Sequence, residues 1–374
     1  MEATKQLNAT DYNVAWICVL SDVELLPSRL MLDEEHIPPS CDTNDENSYI
    51  FGSIFGHRVV VATCPKGLIG NVNAGRVVGS LFRTFPNIQM TLLVGIGGGV
   101  PNPIPKTDPL KDIHLGDVVV GWPGDGGPAV VYWDLGRSLV DGQFEMRGTI
   151  DKQEWKITSA LARIASDHEL HQTELNKHLA RLKDHSIFEP PAPEHDRLFA
   201  AAYKHVGEYR SGCMPCDPVQ LVQRPSRTEE YKDIFVFHQG RIATGNSVVR
   251  DGKLRDQISE RCNGILCFEM EAAGVEIGAR CLVIRGIADY ADSHKNDTWK
   301  AYAAGKAAAF ARELLRVIQP GEAKMVQRAV ENVAARERGE QEAQYVNYFQ
   351  APIETHGKGF YGSTFNSRGG SMSF

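Results

Sequence analysis

The amino-acid sequence predicts an α/β protein with one central sheet packed under helices. Short apolar runs rich in β-branched residues, such as VAWICVL at 14–20, are typical of buried strands. They alternate along the chain with segments of helical spacing, such as NVNAGRVVGSLFRTF at 71–85, which stops before Pro86. This alternation indicates the α/β class. The length of 374 residues and the 42% hydrophobic content suffice for a sizeable core.

The first half of the chain contains most of the predicted strands. They are 14–20, two strands within 48–64 that meet at a turn at Gly56-His57, 90–101, 116–121 and 129–133. The strand at 90–101, MTLLVGIGGGVP, runs into glycines at its end. Glycines at that position allow a backbone to approach a ligand closely.

The second half begins with a charged helical stretch and an irregular insertion. The predicted segments are the helical stretch 151–182, the insertion 183–235 rich in Pro, His and charge, strands at 241–249, 264–270 and 282–292 (the last a strand followed by a loop), a helix from 272, and a closing helix at 299–318. Pro320-Gly321 marks a boundary. Beyond it the sequence predicts a polar helical linker at 319–344 and a disordered tail at 345–374, rich in Gly, Ser and aromatic residues.

Charge and hydropathy exclude several classes of protein. The net charge is −7 and the sequence pI is about 6.0, so neither a basic nucleic-acid binder nor a membrane-surface protein is predicted. No apolar run reaches the roughly 20 residues that span a bilayer. The start of the chain is polar and lacks a signal-peptide core. A cytoplasmic location is therefore expected, where the eight cysteines stay reduced.

Two cysteines form a C-x-x-C motif in GCMPCDP. Cys213 and Cys216 have no second such pair, so a four-cysteine zinc site is not indicated. His195 and His205 lie upstream as further candidate ligands. The alternative is a local loop feature without a metal, and this is the interpretation adopted: no metal and no cofactor is predicted.

A pair of acids stands in an apolar run, ILCFEMEAAG. Glu269 and Glu271 share a face if this run is a strand, since side chains alternate with period two, and Met270 then takes the opposite face. A buried carboxylate requires a partner or a function. Two acids on one face suit the hydroxyls of a ribose. The alternative is that one acid caps the next helix while the other faces solvent.

Further blocks place this pair in a wider context. In chain order they are WICVL, VELLPSRLMLDEEH, KGLIGNVNAG, LLVGIGGGVPN, LGDVVVG, RIATGNSVVRD, FEMEAAGV and VIRGIADYAD. The set resembles the nucleoside phosphorylase/nucleosidase superfamily, and is most similar to the nucleoside-phosphorylase-like domains of fungal proteins associated with NOD-like receptors. The resemblance covers about 12–318. It implies a catalytic domain with a central mixed, partly barrel-like sheet surrounded by helices.

The resemblance implies roles for the residues around the acid pair. Met270 packs on the sugar, Glu271 holds the ribose hydroxyls, and Glu269 lies beside them. Asp289, in RGIADYAD, delivers a proton to purine N7, although the family's preceding serine is Ala288 here. Protonation lets the base leave as a neutral molecule, and such general acid help is typically worth about 10² to 10⁴ in rate.

The identity of the nucleophile depends on two further blocks. The resemblance places Glu24 where nucleosidases carry the glutamate that activates water; the alternative is a carboxylate at a helix N-terminus. Ile96 stands where phosphorylases usually carry a Ser or Thr that contacts phosphate. Gly97 and Gly98 approach the sugar or nucleophile by backbone. Water is therefore the expected nucleophile.

The remaining candidate contacts concern the base and the 5′ end of the substrate. Val248 and Val249 would wall the base, or are ordinary core residues. The expected substrate is an adenine nucleoside or nucleotide, with ATP as one candidate. Candidate contacts to its phosphates, each also interpretable as a solvated surface charge, are Lys66, Arg76, Arg147, Arg250 and Lys253.

Three functions stay open at this stage. They are a purine nucleosidase that uses water, a phosphate-dependent phosphorylase, and a non-catalytic signalling module that kept the fold. Family members form dimers, trimers or hexamers, so a homo-oligomer is expected. The tail at 345–374 weakly resembles short amyloid-forming motifs of fungal immune-like pathways, which would recruit the chain to a receptor by cross-β stacking. The alternative for this tail is a flexible segment.

Overall fold

A computed structural model of the chain describes residues 7–40, 44–140, 144–150, 154–208, 212–225, 227, 231, 234–275 and 281–320. These residues all lie within one structural unit, Met1–Ala323. Apart from residues 319 and 320, the predicted linker at 319–344 and the whole predicted tail at 345–374 lie outside the described residues.

Strands and helices alternate through the described residues, as predicted. The strands are β1 (Val14–Cys18), β2 (Glu34–Glu35), β3 (Tyr49–Ile54), β4 (His57–Thr63), β5 (Met90–Gly99), β6 (Val118–Gly121), β7 (Val130–Tyr132), β8 (Gly136–Ser138), β9 (Phe144–Met146), β10 (Thr149–Ile150), β11 (Phe237–Thr244), β12 (Ile265–Glu269) and β13 (Cys281–Asp289). The α-helices are α1 (Leu25–Leu30), α2 (Asn71–Thr84), α3 (Trp155–Glu169), α4 (Leu175–Leu179), α5 (Gly252–Arg261), α6 (Ala272–Val275) and α7 (Lys300–Val317).

The main sheet is mixed and partly closed. Its strands follow the order β10-β7-β11-β6-β13-β5-β1-β4-β3-β2, and β12 pairs with both β11 and β5. Strands β5, β12, β11, β6 and β13 therefore close into a five-stranded barrel, and β1 continues the sheet outward from β5. This arrangement confirms the predicted central mixed, partly barrel-like sheet surrounded by helices.

Helices cover the two faces of this sheet. Alternate residues of β5 point to opposite faces. Leu92 joins a core cluster that includes Phe310 of α7, whereas Leu93 joins a second cluster that includes Leu81 of α2. Among the described helices, none is long and apolar enough to cross a membrane.

Three local expectations were wrong. The hairpin turn lies at Phe55-Gly56, both with positive φ (48° and 82°), because Ile54 pairs directly with His57. The predicted strand at 90–101, by contrast, is confirmed as β5 together with its glycines, since Gly98 pairs with Phe268 on one side and Asp289 on the other.

The other two wrong expectations are the extents of two strands, the one before the acid pair and the one predicted at 241–249. Strand β12 ends at Glu269, and Glu271 lies in the turn that leads into α6. The period-two argument for a shared strand face therefore does not hold for these two acids. Strand β11 likewise ends at Thr244, so Val248 and Val249 lie in the following loop.

The described part of 183–235 consists of short 3-10 turns and one β-bridge between Phe199 and Leu221. A buried ionic network attaches it to the barrel. Asp196 accepts a hydrogen bond from Arg224 at 3.0 Å and lies 2.7 Å from Nδ1 of His114. Because these charges are paired away from solvent, they hold the insertion beside the end of β13.

Candidate active site

Glu24 turns away from the helix that it precedes and toward the barrel. It occupies the N-cap position of α1 but makes no side-chain capping hydrogen bond. Instead its Oε1 accepts from the backbone N–H of Ile96 at 2.9 Å, and its Oε2 accepts from that of Leu20 at 2.9 Å. These contacts therefore do not support the alternative that Glu24 only caps α1.

Burial dominates the electrostatics of Glu24, which is only 2% exposed. Burial raises the pKa of this carboxyl above its ordinary value, while Arg285 and the backbone N–H donors oppose the rise. A carboxylate with a raised pKa is a better proton acceptor than an exposed one.

Arg285 of β13 stands at the centre of the acids. Its Nη2 donates to Glu269 Oε2 at 2.6 Å and to Glu271 Oε2 at 3.3 Å, and its Nη1 donates to the Ile96 carbonyl at 3.4 Å. Burial lowers its pKa, but the surrounding carboxylates Glu269, Glu271 and Glu24 raise it above the ordinary value. Arg285 therefore stays charged and gathers the acids.

Gly95 of β5 provides the space in which Glu24 and Arg285 meet. A Cβ built on Gly95 would overlap Glu24 Oε1 and lie 2.6 Å from Arg285 Nη1. Real side chains do not tolerate such distances, so a residue other than glycine would displace both groups. The glycine is required here for close approach.

Glu271 lies on the other side of Arg285. Its Oε1 accepts from the backbone N–H of Gly70 at 3.2 Å, which connects the loop before α2 to the acid cluster. Burial, followed by repulsion from Glu269 and Glu24 and opposed by Arg285, raises its pKa to about 7.

Glu269 has contacts of a different kind. Its Oε2 accepts from the backbone N–H groups of Glu271 at 3.0 Å and Ala272 at 2.9 Å, in addition to Arg285. This pattern caps the first turn of α6 and positions the arginine. Its Oε1 is buried and has no hydrogen-bond partner within the described part of the chain. The prediction that Glu269 contacts a sugar stays a prediction.

Asp289 ends β13, four residues after Arg285. Its Oδ1 accepts from the backbone N–H of Ala291 at 2.9 Å, and a Cβ on Gly98 would lie 3.0 Å from the same oxygen. Its Oδ2 pairs with Nζ of Lys295. Asp289 also lines a cavity of about 640 Å³ whose other walls include Tyr290, Cys213 and His294.

The structure brings together Glu24, Glu269, Glu271 and the backbone of Ile96 around Arg285. Asp289 lies at the neighbouring end of β13, and the cavity that it lines is bordered by neither Glu24 nor Glu271. The glycines of β5 connect these two places. A Cβ on Gly95 would meet Glu24 and Arg285, and a Cβ on Gly98 would meet Asp289.

The two valines of the predicted base-binding loop differ in their burial. Val249 is buried in a cluster with Phe268 and Ala291, whereas Val248 is 48% exposed. Beside this loop, a Cβ on Gly245 would overlap the indole of Trp133, which meets the Phe268 ring edge-on at 6.2 Å. An aromatic pair therefore borders the loop from a different part of the chain.

Three of the five candidate phosphate contacts are surface groups with acidic partners. Lys66 lies 3.6 Å from Asp22, Arg147 lies 3.3 Å from Glu145, and Arg76 pairs with Glu46. Of these three, Lys66 is paired with a residue close to Glu24 in sequence, since Asp22 lies two residues before it. The predicted contacts of Lys66, Arg76, Arg147, Arg250 and Lys253 to a 5′-phosphate stay predictions.

Sequence reasoning assigned no role to Arg285 or Lys295, and it placed Gly95 with Gly97 and Gly98 as a backbone contact to the sugar or nucleophile. Arg285 could have been found, because an arginine inside the apolar run CLVIRGIAD requires a buried partner. Lys295 carries no such signal, since its pairing with Asp289 depends on the fold of the loop after β13.

Comparisons with known proteins agree with this fold. No family model matches the chain. The chain is 36% identical over 319 residues to a nucleotide-binding leucine-rich repeat (NLR)-like protein of Hyaloscypha variabilis, and this match covers 83% of the chain. The chain spans about 30% of the length of that relative.

Solved structures of similar fold include nucleosidases. One is the 5′-methylthioadenosine/S-adenosylhomocysteine nucleosidase of Neisseria meningitidis in complex with methylthio-immucillin-A, at 18% identity and a TM-score of 0.50, covering 81% of this chain and 98% of that one. Another is a putative enzyme of the same description from Francisella philomiragia, at 17% identity and a TM-score of 0.50, covering 81% and 98%.

Proposed function

We propose that this chain, which has the fold of the nucleoside phosphorylases and nucleosidases, hydrolyses the N-glycosidic bond of an adenine nucleoside or nucleotide and releases the free base. The observation that carries the proposal is the buried cluster of Glu24, Arg285 and Glu271, with Asp289 at the end of the same strand as Arg285. Buried acids held in fixed positions are typical of sites that stabilise an oxocarbenium-like sugar.

In this proposal each acid has a separate role. Glu271 accepts hydrogen bonds from the ribose hydroxyls, and Met270 packs beside the sugar. Glu24 takes a proton from the attacking water, which its raised pKa favours. Asp289, whose Oδ2 is paired with the Lys295 ammonium, relays a proton from that ammonium to purine N7, and the neutral amine that remains regains a proton from solvent. Glu269 positions Arg285 and the start of α6.

Electrostatics favours water over phosphate as the nucleophile. Glu24, Glu269 and Glu271 lie around one compensating arginine, and the backbone N–H of Ile96 is already engaged by Glu24. A phosphate dianion at this position would meet repulsion from the uncompensated carboxylates in a medium of low dielectric constant. Neutral water meets no such repulsion.

One observation favours a second candidate. The matched relative is an NLR-like protein more than three times as long as the matched region, since the chain covers 30% of it. A domain of this kind can act as a signalling module of an immune-like pathway, with or without turnover. The tail at 345–374 would then recruit a receptor, and the chain would form a homo-oligomer.

A base-release assay separates these functions. The purified chain is incubated with adenosine, inosine, AMP and ATP, with and without inorganic phosphate, and free base is measured by liquid chromatography. Base release that does not require phosphate supports the nucleosidase. Strict dependence on phosphate would instead identify a phosphorylase. If no purine is cleaved and the Asp289→Asn variant binds purines as well as the unmodified chain, the signalling module is correct.

A further inference from the structure

The insertion contains a cluster of potential metal ligands among the described residues. His205, Cys213 and Cys216 place their ligand atoms within 4.8 Å of one another. The Cys216 Sγ lies 3.3 Å from His205 Nδ1, and the Cys213 Sγ lies 4.0 Å from the same nitrogen. Tetrahedral zinc with the usual bond lengths separates sulfur and nitrogen ligands by roughly 3.5 Å. The observed distances bracket this value.

We propose that His205, Cys213 and Cys216 bind one Zn²⁺ ion. Two thiolates and an imidazole form a soft donor set that selects zinc over magnesium or calcium. Both cysteines border the 640 Å³ cavity, so a water molecule can take the fourth tetrahedral position. This proposal does not depend on the proposed function.

The surroundings are built to hold these ligands in place. The backbone N–H of Val206 points to Cys216 Sγ at 3.5 Å, and Arg197 donates to the Cys213 carbonyl at 2.7 Å. Phe199 packs against both cysteines in one apolar cluster. Hydrogen bonds and apolar packing around a metal site fix the orientation of its ligands.

A bound zinc ion deprotonates its thiol ligands outright and compensates their charge.

The segment that carries the proposed ligands also contacts the loop after β13. His205 donates its backbone N–H to Ser293 Oγ at 3.0 Å, and Cys213 Sγ lies 3.8 Å from the His294 carbonyl. His294 is buried, stacks on Phe199 at 4.1 Å, and its ring nitrogens make no hydrogen bond within the described part of the chain. Lys295, which pairs with Asp289, follows directly. A metal bound to the three ligands would therefore fix the part of the insertion that packs against the loop carrying this lysine.

Zinc titration tests the site directly. The full chain is stripped with a chelator in the presence of reductant, loaded with Zn²⁺, desalted and analysed by inductively coupled plasma mass spectrometry. We expect about one zinc per chain and a higher melting temperature than that of the stripped protein. The Cys213→Ser/Cys216→Ser variant loses this zinc, whereas Cys262→Ser, a buried cysteine in a separate cluster, retains it.

Cobalt substitution provides a test that needs no variant. Co²⁺ bound by two thiolates in a tetrahedral site gives thiolate-to-cobalt charge-transfer and strong d–d absorption in the unmodified chain. The proposal is overturned if these bands are absent, or if the unmodified chain holds no more zinc than the Cys213→Ser/Cys216→Ser variant. It is also overturned if Cys213 and Cys216 form a disulfide that persists in reductant and excludes zinc.

Discussion

Glu24 and Arg285 meet across the bare backbone of Gly95, which has no side chain to keep them apart. Glu24 comes from the loop after β1 and Arg285 from the middle of β13, so the strand between them must carry a glycine at this position. The two groups carry opposite charges, and Arg285 lowers the pKa that burial of Glu24 raises. This relationship leads to the first prediction.

Gly95→Ala will displace Glu24 and Arg285 together. Because the added Cβ would lie 2.6 Å from Arg285 Nη1 and overlap Glu24, one or both side chains must move. Misplacement by about 1 Å costs roughly 10²-fold in rate, so we expect kcat for base release to fall by about that factor.

The matched control for this change is Gly79→Ala on α2, where a Cβ meets nothing within 4 Å. Alanine is the better helix former, so this variant should retain activity and be slightly more stable. Equal activity of the two variants would show that Gly95 does not shape the site.

The acids themselves give a second prediction. Asp289→Asn and Glu24→Gln remove the proton donor and the proton acceptor while keeping side-chain size, so turnover should fall by about 10²-fold or more for each. Circular dichroism and melting curves should change little. Asp251→Asn is the control, because asparagine caps α5 as well as aspartate does. Gross unfolding of either variant would mean that these acids support the fold instead of the chemistry.

Lys295→Met tests the group beside Asp289. If the ammonium resupplies the proton that Asp289 transfers, kcat should fall by about 10- to 100-fold while KM changes little. Lys300→Met serves as the control, since Lys300 forms a similar pair, 2.7 Å from Asp297, in the same region. A Lys295→Met enzyme with unchanged kcat would leave the lysine with a purely structural role.

Arg285 should influence how kcat/KM depends on pH, because its charge lowers the pKa of Glu24. Glu24 must be ionised to accept a proton, so kcat/KM should rise with pH through a pKa above 4.5. Arg285 lowers that pKa, so Arg285→Gln should move the acidic limb of the profile to higher pH. Arg285→Lys keeps the charge and should leave the limb nearer its original position. An unshifted limb in Arg285→Gln would contradict the assignment of Glu24 as the base.

Glu271 makes stability depend on pH. Its pKa rises from 4.5 to about 7 on folding, so between these values the folded state binds a proton that the unfolded state has lost. The free energy of unfolding should therefore fall as pH rises from 4.5 to 7, by on the order of 3 kcal/mol. Urea unfolding at several pH values should show this slope in the unmodified chain and a flatter one in Glu271→Gln. A slope that survives in Glu271→Gln would assign it to another group.

Much of the fold was accessible from the sequence because it depends on local patterns. Apolar runs such as VAWICVL and the helical spacing of 71–85 predict elements that the structure confirms. The end of β12 was not accessible, since FEMEA continues the strand pattern. The strand stops there because Glu269 accepts the N–H groups of Glu271 and Ala272 and so begins α6.

The candidate site was partly accessible for a similar reason. Acids in apolar runs are unusual enough to single out Glu269, Glu271 and Asp289. Their partners come from distant segments, as the contact between Gly70 and Glu271 shows, and pairing of that kind depends on the closed barrel. The cluster of His205, Cys213 and Cys216 likewise forms only when the insertion folds.

The proposed function requires that one substrate span Glu271 and Asp289. A crystal structure of the Asp289→Asn variant with a bound adenine nucleoside tests this directly. We predict ribose hydroxyls within hydrogen-bond distance of Glu271 and purine N7 facing the side chain at position 289. A nucleoside bound elsewhere, or one that contacts only one of these two positions, would contradict the proposed function.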